Sequence, residues 1–411
     1  MRGVIQVSDY IAIVNGNRDA QLVAKHYTTA AGVRIPLERA QKLVHILPKA
    51  VNLWIDSGMD ALHQGAGMSA SYAKYITELD QGNALLRDGL AGQCDKTTVE
   101  LFVKGLLKNC ASLNPKWISI PQVPYDIAKP KGRKKLNKQF IEATSKWQSA
   151  NSQNAKYMLP VILHQLAAVD KKQQWRNDII KCIEQSRKNC QVDGIWVVNS
   201  ALEDERGSQP NQVTRFPGLI AFHEELRASL PRNTRVVAGP YWAMNLVLWA
   251  RQLVDNPVIG VATGYRYYIS GGETRPPAER VVVAPLLRRV KVTTDLKTWL
   301  QKSERVLASV ATPAGVIPGM SRSFAQAASD LGALSRKIDR LRGNIAHEQV
   351  AIFYKNWLDG LETIGQPMRA LALRQQFSEA HVVGSILDDL PKGNQAHQAG
   401  KLAQQFMLSC L

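Results

Sequence analysis

The amino-acid order predicts an α/β fold, a (β/α)8 TIM-like barrel followed by a C-terminal helical subdomain. Three observations predict it. Short apolar runs rich in β-branched residues recur from Val51 to Ala284, and amphipathic stretches of helical period separate them. Alternation of that kind is the pattern of a parallel sheet whose strands are covered on both faces. No glycine-rich dinucleotide fingerprint follows the first run, which favours a closed barrel over an open doubly wound sheet.

Residues 1–50 carry a candidate hairpin (VIQV, then YIAIVNGN) and a helix through Leu37–Leu47, expected to pack on the barrel as an N-terminal piece. The barrel is expected over residues 51–310. Its readable strands are Val51–Asp56, Trp117–Pro121, Met158–Leu163, Gly194–Val198, Arg235–Gly239, Val258–Ala262 and Val281–Ala284, leaving one strand to find. Between them, Thr97–Leu113 places Val99, Phe102, Val103, Leu106 and Leu107 on one helical face. Lys134–Ser149, Ala167–Lys188, Phe216–Leu230 and Ala243–Val254 read the same way. Phe216-Pro217 suits a helix start, because proline is tolerated in the first turn. After the Gly/Pro-bearing stretch Ala311–Gly319, residues 320–411 show helical signals only, the strongest over Ser335–Leu361 with a bend at Gly343.

Of 411 residues, 52 are Lys or Arg and 34 are Asp or Glu, for a formal net charge of +18. Such an excess points to a polyanionic partner, nucleic acid before an anionic membrane surface, with a solvated basic surface as the plain alternative. The longest apolar stretch, Val236–Ala250, falls short of the roughly 18–20 residues that cross a bilayer. Asp9 interrupts any leader-like apolar segment, so a cytoplasmic protein is expected. Five cysteines, widely spaced and without a CxxC pair, support neither a disulfide framework nor a zinc site. No metal and no cofactor are expected.

In a barrel, the side chains at strand C-terminal ends line the active site. Those ends read Asp56-Ser57-Gly58, Gln122 to Asp126, His164-Gln165, Asn199-Ser200 with Glu203 to Glu205 beyond, Gly239-Pro240-Tyr241-Trp242, and Thr263-Gly264-Tyr265-Arg266. Asp56 and Asp126 close successive strands and form a candidate carboxylate pair, since mutual repulsion and burial push two such groups toward different protonation. Asp56 also suits the cap of a short helix, and Asp126 a plain loop. The densest basic run, Lys129, Lys131, Arg133, Lys134, Lys135 and Lys138, follows the second strand end. A second group contains Arg266, Arg275, Arg280, Arg288, Arg289 and Lys291. Clusters of this kind neutralise phosphates, or else form a solvated face. Tyr241, Trp242 and Tyr265 are candidate stacking rings, with core packing the alternative. His63, His164 and His223 stand alone and read as structural.

Asp56-Ser57-Gly58 after the VNLWI strand resembles the Asp-Ser-Gly-Gly-Phe element of tRNA-guanine transglycosylases. The resemblance continues at Asp126, Gln165 and the strand from Gly194. It implies a (β/α)8 barrel that exchanges guanine for a free 7-deazaguanine-type base through an aspartyl–sugar intermediate. The family's zinc motif of three cysteines and a histidine is absent, and VIGVATGYRYY carries no late nucleophilic carboxylate. The chain is therefore most similar to the zinc-free DpdA-like DNA-guanine transglycosylases, which implies DNA ahead of tRNA as substrate and partner proteins of a modification system. The resemblance gives Asp56 the role of nucleophile or general acid/base, and gives base reading to Asp126 and Gln165. Ser57, Gly58, Asn199, Tyr241 and Tyr265 would complete the substrate pocket. Two other readings keep part of this picture: a carboxylate-pair barrel hydrolase on a small substrate, and a non-catalytic DNA-binding subunit of a modification or defence system.

Overall fold

The structure, a computed structural model, describes residues 8–62, 68–125, 130–151, 154–163, 174–199, 212–241, 244–261, 280–283, 288–291, 301, 344–365 and 368–375. Eight parallel strands close into a barrel in chain order: β1 (Ile11–Ile13), β2 (Gly32–Pro36), β3 (Leu53–Asp56), β4 (Trp117–Ser119), β5 (Lys156–Leu163), β6 (Gly194–Asn199), β7 (Arg235–Ala238) and β8 (Asn256–Gly260). β1 pairs with both β2 and β8, which closes the ring.

The barrel thus begins before Val51 and its last strand ends at Gly260. Of the stretch expected as a hairpin, VIQV lies outside the described residues, and the second arm supplies β1, paired in parallel with β2 across an intervening helix. The missing strands were two, β1 and β2. The first has only three residues, and the second interrupts its apolar pattern with Arg34 and Pro36. The VVV run that resembles a barrel strand lies outside it. As β9 (Arg280–Val283) it pairs antiparallel with β10 (Arg288–Lys291), so Arg280, Arg288, Arg289 and Lys291 belong to a two-stranded ribbon.

The helices form the outer layer. They are α1 (Asn17–His26), α2 (Leu37–Leu43), α3 (Ala70–Thr77), α4 (Gly82–Asp88), α5 (Lys96–Ala111), α6 (Pro130–Ala150), α7 (Gln174–Asn189), α8 (Gln212–Ser229), α9 (Met244–Ala250) and α10 (Asn344–Thr363). In α5 the Asp95 side chain accepts from the Thr98 N–H at 2.7 Å, an N-cap worth about 1 kcal/mol. The predicted stripe from Val99 to Leu107, extended to Cys110, is buried. α6 starts four residues before its predicted Lys134, with Pro130 in the first position, where its missing N–H costs no hydrogen bond. α8 also starts early, which puts Pro217 inside the helix rather than at its start.

α10 packs on the barrel; of the helical subdomain expected over 320–411, only residues 344–365 and 368–375 are described. It lies against α1 and β9, and Tyr27 Oη donates to the Ala351 carbonyl at 2.6 Å. The Asp9 N–H donates to Glu362 Oε1 at 2.8 Å, and His26 Nε2 lies 3.0 Å from Glu348. Beyond α10, the Arg369 guanidinium sits 3.7 Å from the centre of the Trp249 ring of α9. Bridging α9 and α1, this segment takes the outer-ring place that the helix after β8 occupies in a (β/α)8 barrel. Trp357, Leu358 and Leu361 are fully buried there. Among the described residues no helix is long and apolar enough to cross a membrane.

Candidate active site

Contacts between strands that are not neighbours identify the barrel interior. Arg235 of β7 lies 5.4 Å from the Trp117 ring of β4, at the starting end of both strands. Above this layer the Trp54 ring of β3 meets Trp196 of β6 edge-on, at 5.2 Å and 88°. The edge of one ring faces the electron-rich face of the other, an arrangement worth about 0.5–1.5 kcal/mol beyond burial. Both indole N–H groups are engaged, Trp54 Nε1 with Ser119 Oγ at 2.9 Å and Trp196 Nε1 with the Gly239 carbonyl at 2.8 Å.

Side chains alternate across a strand, so Trp54 and Asp56 share the interior face of β3, and Asp56 ends that strand at the C-terminal mouth of the barrel. In register, Arg34 of β2 is opposite Trp54, and Pro36 is opposite Asp56. The arginine therefore reaches up by two residues. Its Nη2 donates to Asp56 Oδ2 in a buried ion pair, and its guanidinium lies 4.4 Å from the Trp196 ring centre. Arg34 and Asp56 are only 7% and 2% exposed. Arg34 Nε is buried without a hydrogen-bond partner among the described residues. Arg34 is the site residue that the sequence reading missed; a lone cation within the apolar run Gly32–Pro36 was its signal.

The segment after β3 is fixed as firmly. Ser57 is buried, and Gly58 adopts a φ of +71°, a conformation that favours glycine. Tyr72 Oη donates to the Gly58 carbonyl at 2.6 Å, and burial raises the Tyr72 hydroxyl pKa well above its ordinary value. The Asp56 carboxylate is turned toward Arg34 rather than capping the turn that follows. Asp19, the other buried carboxylate among the described residues, lies on α1 and accepts from the Asn15 N–H at 2.9 Å.

Tyr241 requires a correction. It is 1% exposed and its hydroxyl donates to the Val197 carbonyl at 2.7 Å, so it ties the end of β7 to β6 instead of offering a stacking face. Asn199 ends β6 opposite Leu163 of β5. Asp126, Gln165, Trp242 and Tyr265, with Lys129, Arg266 and Arg275 of the basic groups, lie outside the described residues, as do His63 and His164. His223 is structural, as expected: it is fully buried on α8 with Nδ1 2.8 Å from the Leu219 carbonyl, and burial lowers its pKa to about 4.

The basic run forms the start of α6 rather than a loop. Lys131, Lys134, Lys135 and Lys138 are exposed, whereas Arg133 is buried and so is withdrawn from the surface that phosphate would meet. α6 follows β4, so its first turn is at the same end of the barrel as Asp56. Among the described residues, no group of His, Cys, Asp and Glu is arranged to hold a metal ion. No protein-family model matches the chain, and no curated protein matches it in sequence.

Proposed function

We propose that the chain is a base-exchange enzyme on nucleic acid, DNA ahead of RNA, with Asp56 as the nucleophile at the anomeric carbon. The supporting observation is a buried carboxylate held by Arg34 at the barrel mouth, at the end where the α6 lysines begin. The Arg34 guanidinium holds the Asp56 carboxylate in place. That suits it to stabilise the oxocarbenium-like charge that develops as an N-glycosidic bond breaks, and then to capture it. The base leaves with the C1′–N electron pair and takes up a proton, and a carboxylate oxygen bonds to C1′. An incoming base, of the 7-deazaguanine type in this reading, attacks C1′ through nitrogen, loses a proton and releases the carboxylate. The ion pair engages Oδ2 of Asp56, which leaves Oδ1 as the oxygen for this attack. A target inside a duplex must first leave the stack, at a cost of a few kcal/mol.

The test is exchange of labelled guanine into DNA, with Asp56→Asn as the decisive variant. Asparagine keeps an acceptor for Arg34 but cannot form the ester, so incorporation should fall to background while the thermal unfolding profile stays cooperative. Exchange that persists in a folded Asp56→Asn protein would refute the mechanism.

A further inference from the structure

We infer that the groove between α6 and α7 binds a single strand of nucleic acid, gripping its phosphates through one face of α6 and stacking a base on Tyr125. This rests on the proposed reading for the kind of polymer, and adds which form of it the protein holds.

The groove has a volume of about 360 Å³. Lys131, Lys134, Lys135 and Lys138 line it at positions i, i+3, i+4 and i+7 of α6, which is one helical face. No carboxylate is among the described residues lining it. Like charges at this spacing repel one another, and cations near a helix N-terminus oppose its dipole, so the arrangement costs stability unless an anion occupies it. Lys135 donates to the Gly92 carbonyl at 2.6 Å and Lys138 lies 3.9 Å from Glu142, while Lys131 and Lys134 have no acidic partner among the described residues. A second cavity on the flank of α6 makes the contrast. It shares Lys135 and Lys138 and adds Lys96, but it also contains Asp95 and Glu142, so most of its positive charge is offset within the protein.

The groove wall beyond β4 is held in place. Asn137 accepts from the Val123 N–H at 2.8 Å and donates to the Val123 carbonyl at 3.0 Å, and the Tyr125 N–H donates to the Ile162 carbonyl at 2.8 Å. This fixes the half-buried Tyr125 and the buried Gln122 at the groove. Gln122 Oε1 has no donor among the described residues, as expected of an acceptor that awaits a base or sugar donor. A positive groove with an aromatic platform is how proteins hold single strands.

The experiment is fluorescence anisotropy with a labelled oligothymidylate and a hairpin duplex of equal phosphate number, each across a salt series. The single strand should bind at least tenfold more tightly. Lys131→Ala/Lys134→Ala should weaken it about tenfold and flatten the slope of log K against log salt by about 1.4. The corresponding double arginine variant should restore both. These lysines are exposed, so the variants should fold, and circular dichroism checks that they do. Equal or tighter duplex binding, or an unchanged slope in the double alanine variant, would overturn the inference. Strand binding without base exchange would keep the groove and refute the proposed chemistry. Exchange that survives with the groove inference overturned would do the reverse.

Discussion

Arg34 of β2 holds Asp56 of β3 across two neighbouring strands, reaching two residues along the barrel to do so. Removing one member of a buried pair leaves the other charge uncompensated, at a cost of about 3–5 kcal/mol. Arg34→Met should therefore lower the unfolding free energy by that amount in urea titrations. The double variant Arg34→Met/Asp56→Leu should be more stable than the two single losses added together. A loss below 1 kcal/mol for Arg34→Met would mean that the pair does not fix the carboxylate.

Gly58 follows the same carboxylate. An alanine there would take a φ of +71°, and its Cβ would meet Tyr72 Cε2 at 3.3 Å. The left-handed conformation alone costs about 1–2 kcal/mol for a residue with a side chain. Gly58→Ala should unfold earlier by that margin, measurable by calorimetry. It should also lower any activity that depends on Asp56, because the chain just beyond β3 must shift.

α10 completes the outer ring, so it should unfold with the barrel. Trp357→Ala removes a fully buried ring and should cost about 3–5 kcal/mol. The loss should appear as one transition, with tryptophan fluorescence and far-ultraviolet circular dichroism coincident. Two separated transitions in the parent protein would show instead that the C-terminal helices form an independent body.

His223 gives the protein a defined acid response. Its pKa in the fold is about 4, against an ordinary value of 6.5, because burial disfavours the charged ring. Above pH 6.5 the ring is neutral in both folded and unfolded chains and contributes nothing to the pH dependence. Between pH 6.5 and 4 the unfolded chain takes up a proton that the folded one resists. That should remove about 3 kcal/mol of stability by the bottom of the window. Urea titrations at pH 7 and pH 4.5 should show a smaller drop for His223→Gln than for the parent protein.

Six barrel strands were legible because a strand buried on both faces leaves an unbroken apolar run, as in Met158–Leu163 and Gly194–Val198. β1 and β2 were not, since three residues make no pattern and Arg34 looks misplaced until its partner is known. The reverse error occurred at Val281–Val283, whose composition equals that of a barrel strand but which pairs with Arg288–Lys291. Composition reports how deeply a strand is buried and not which neighbour it pairs with.

By itself, then, the sequence determined the barrel class, the helix faces, the position of Asp56 at a strand end and the density of positive charge after β4. These follow from local periodicity and residue chemistry. Only the tertiary structure decided that Arg34 meets Asp56, that Trp54 and Trp196 fill the space beneath them, that Tyr241 is turned inward and that four α6 lysines line one groove with Tyr125. Each joins segments distant in the chain, or depends on which way a side chain turns. Closure of the barrel and packing against it settle such relationships, and no local pattern encodes them.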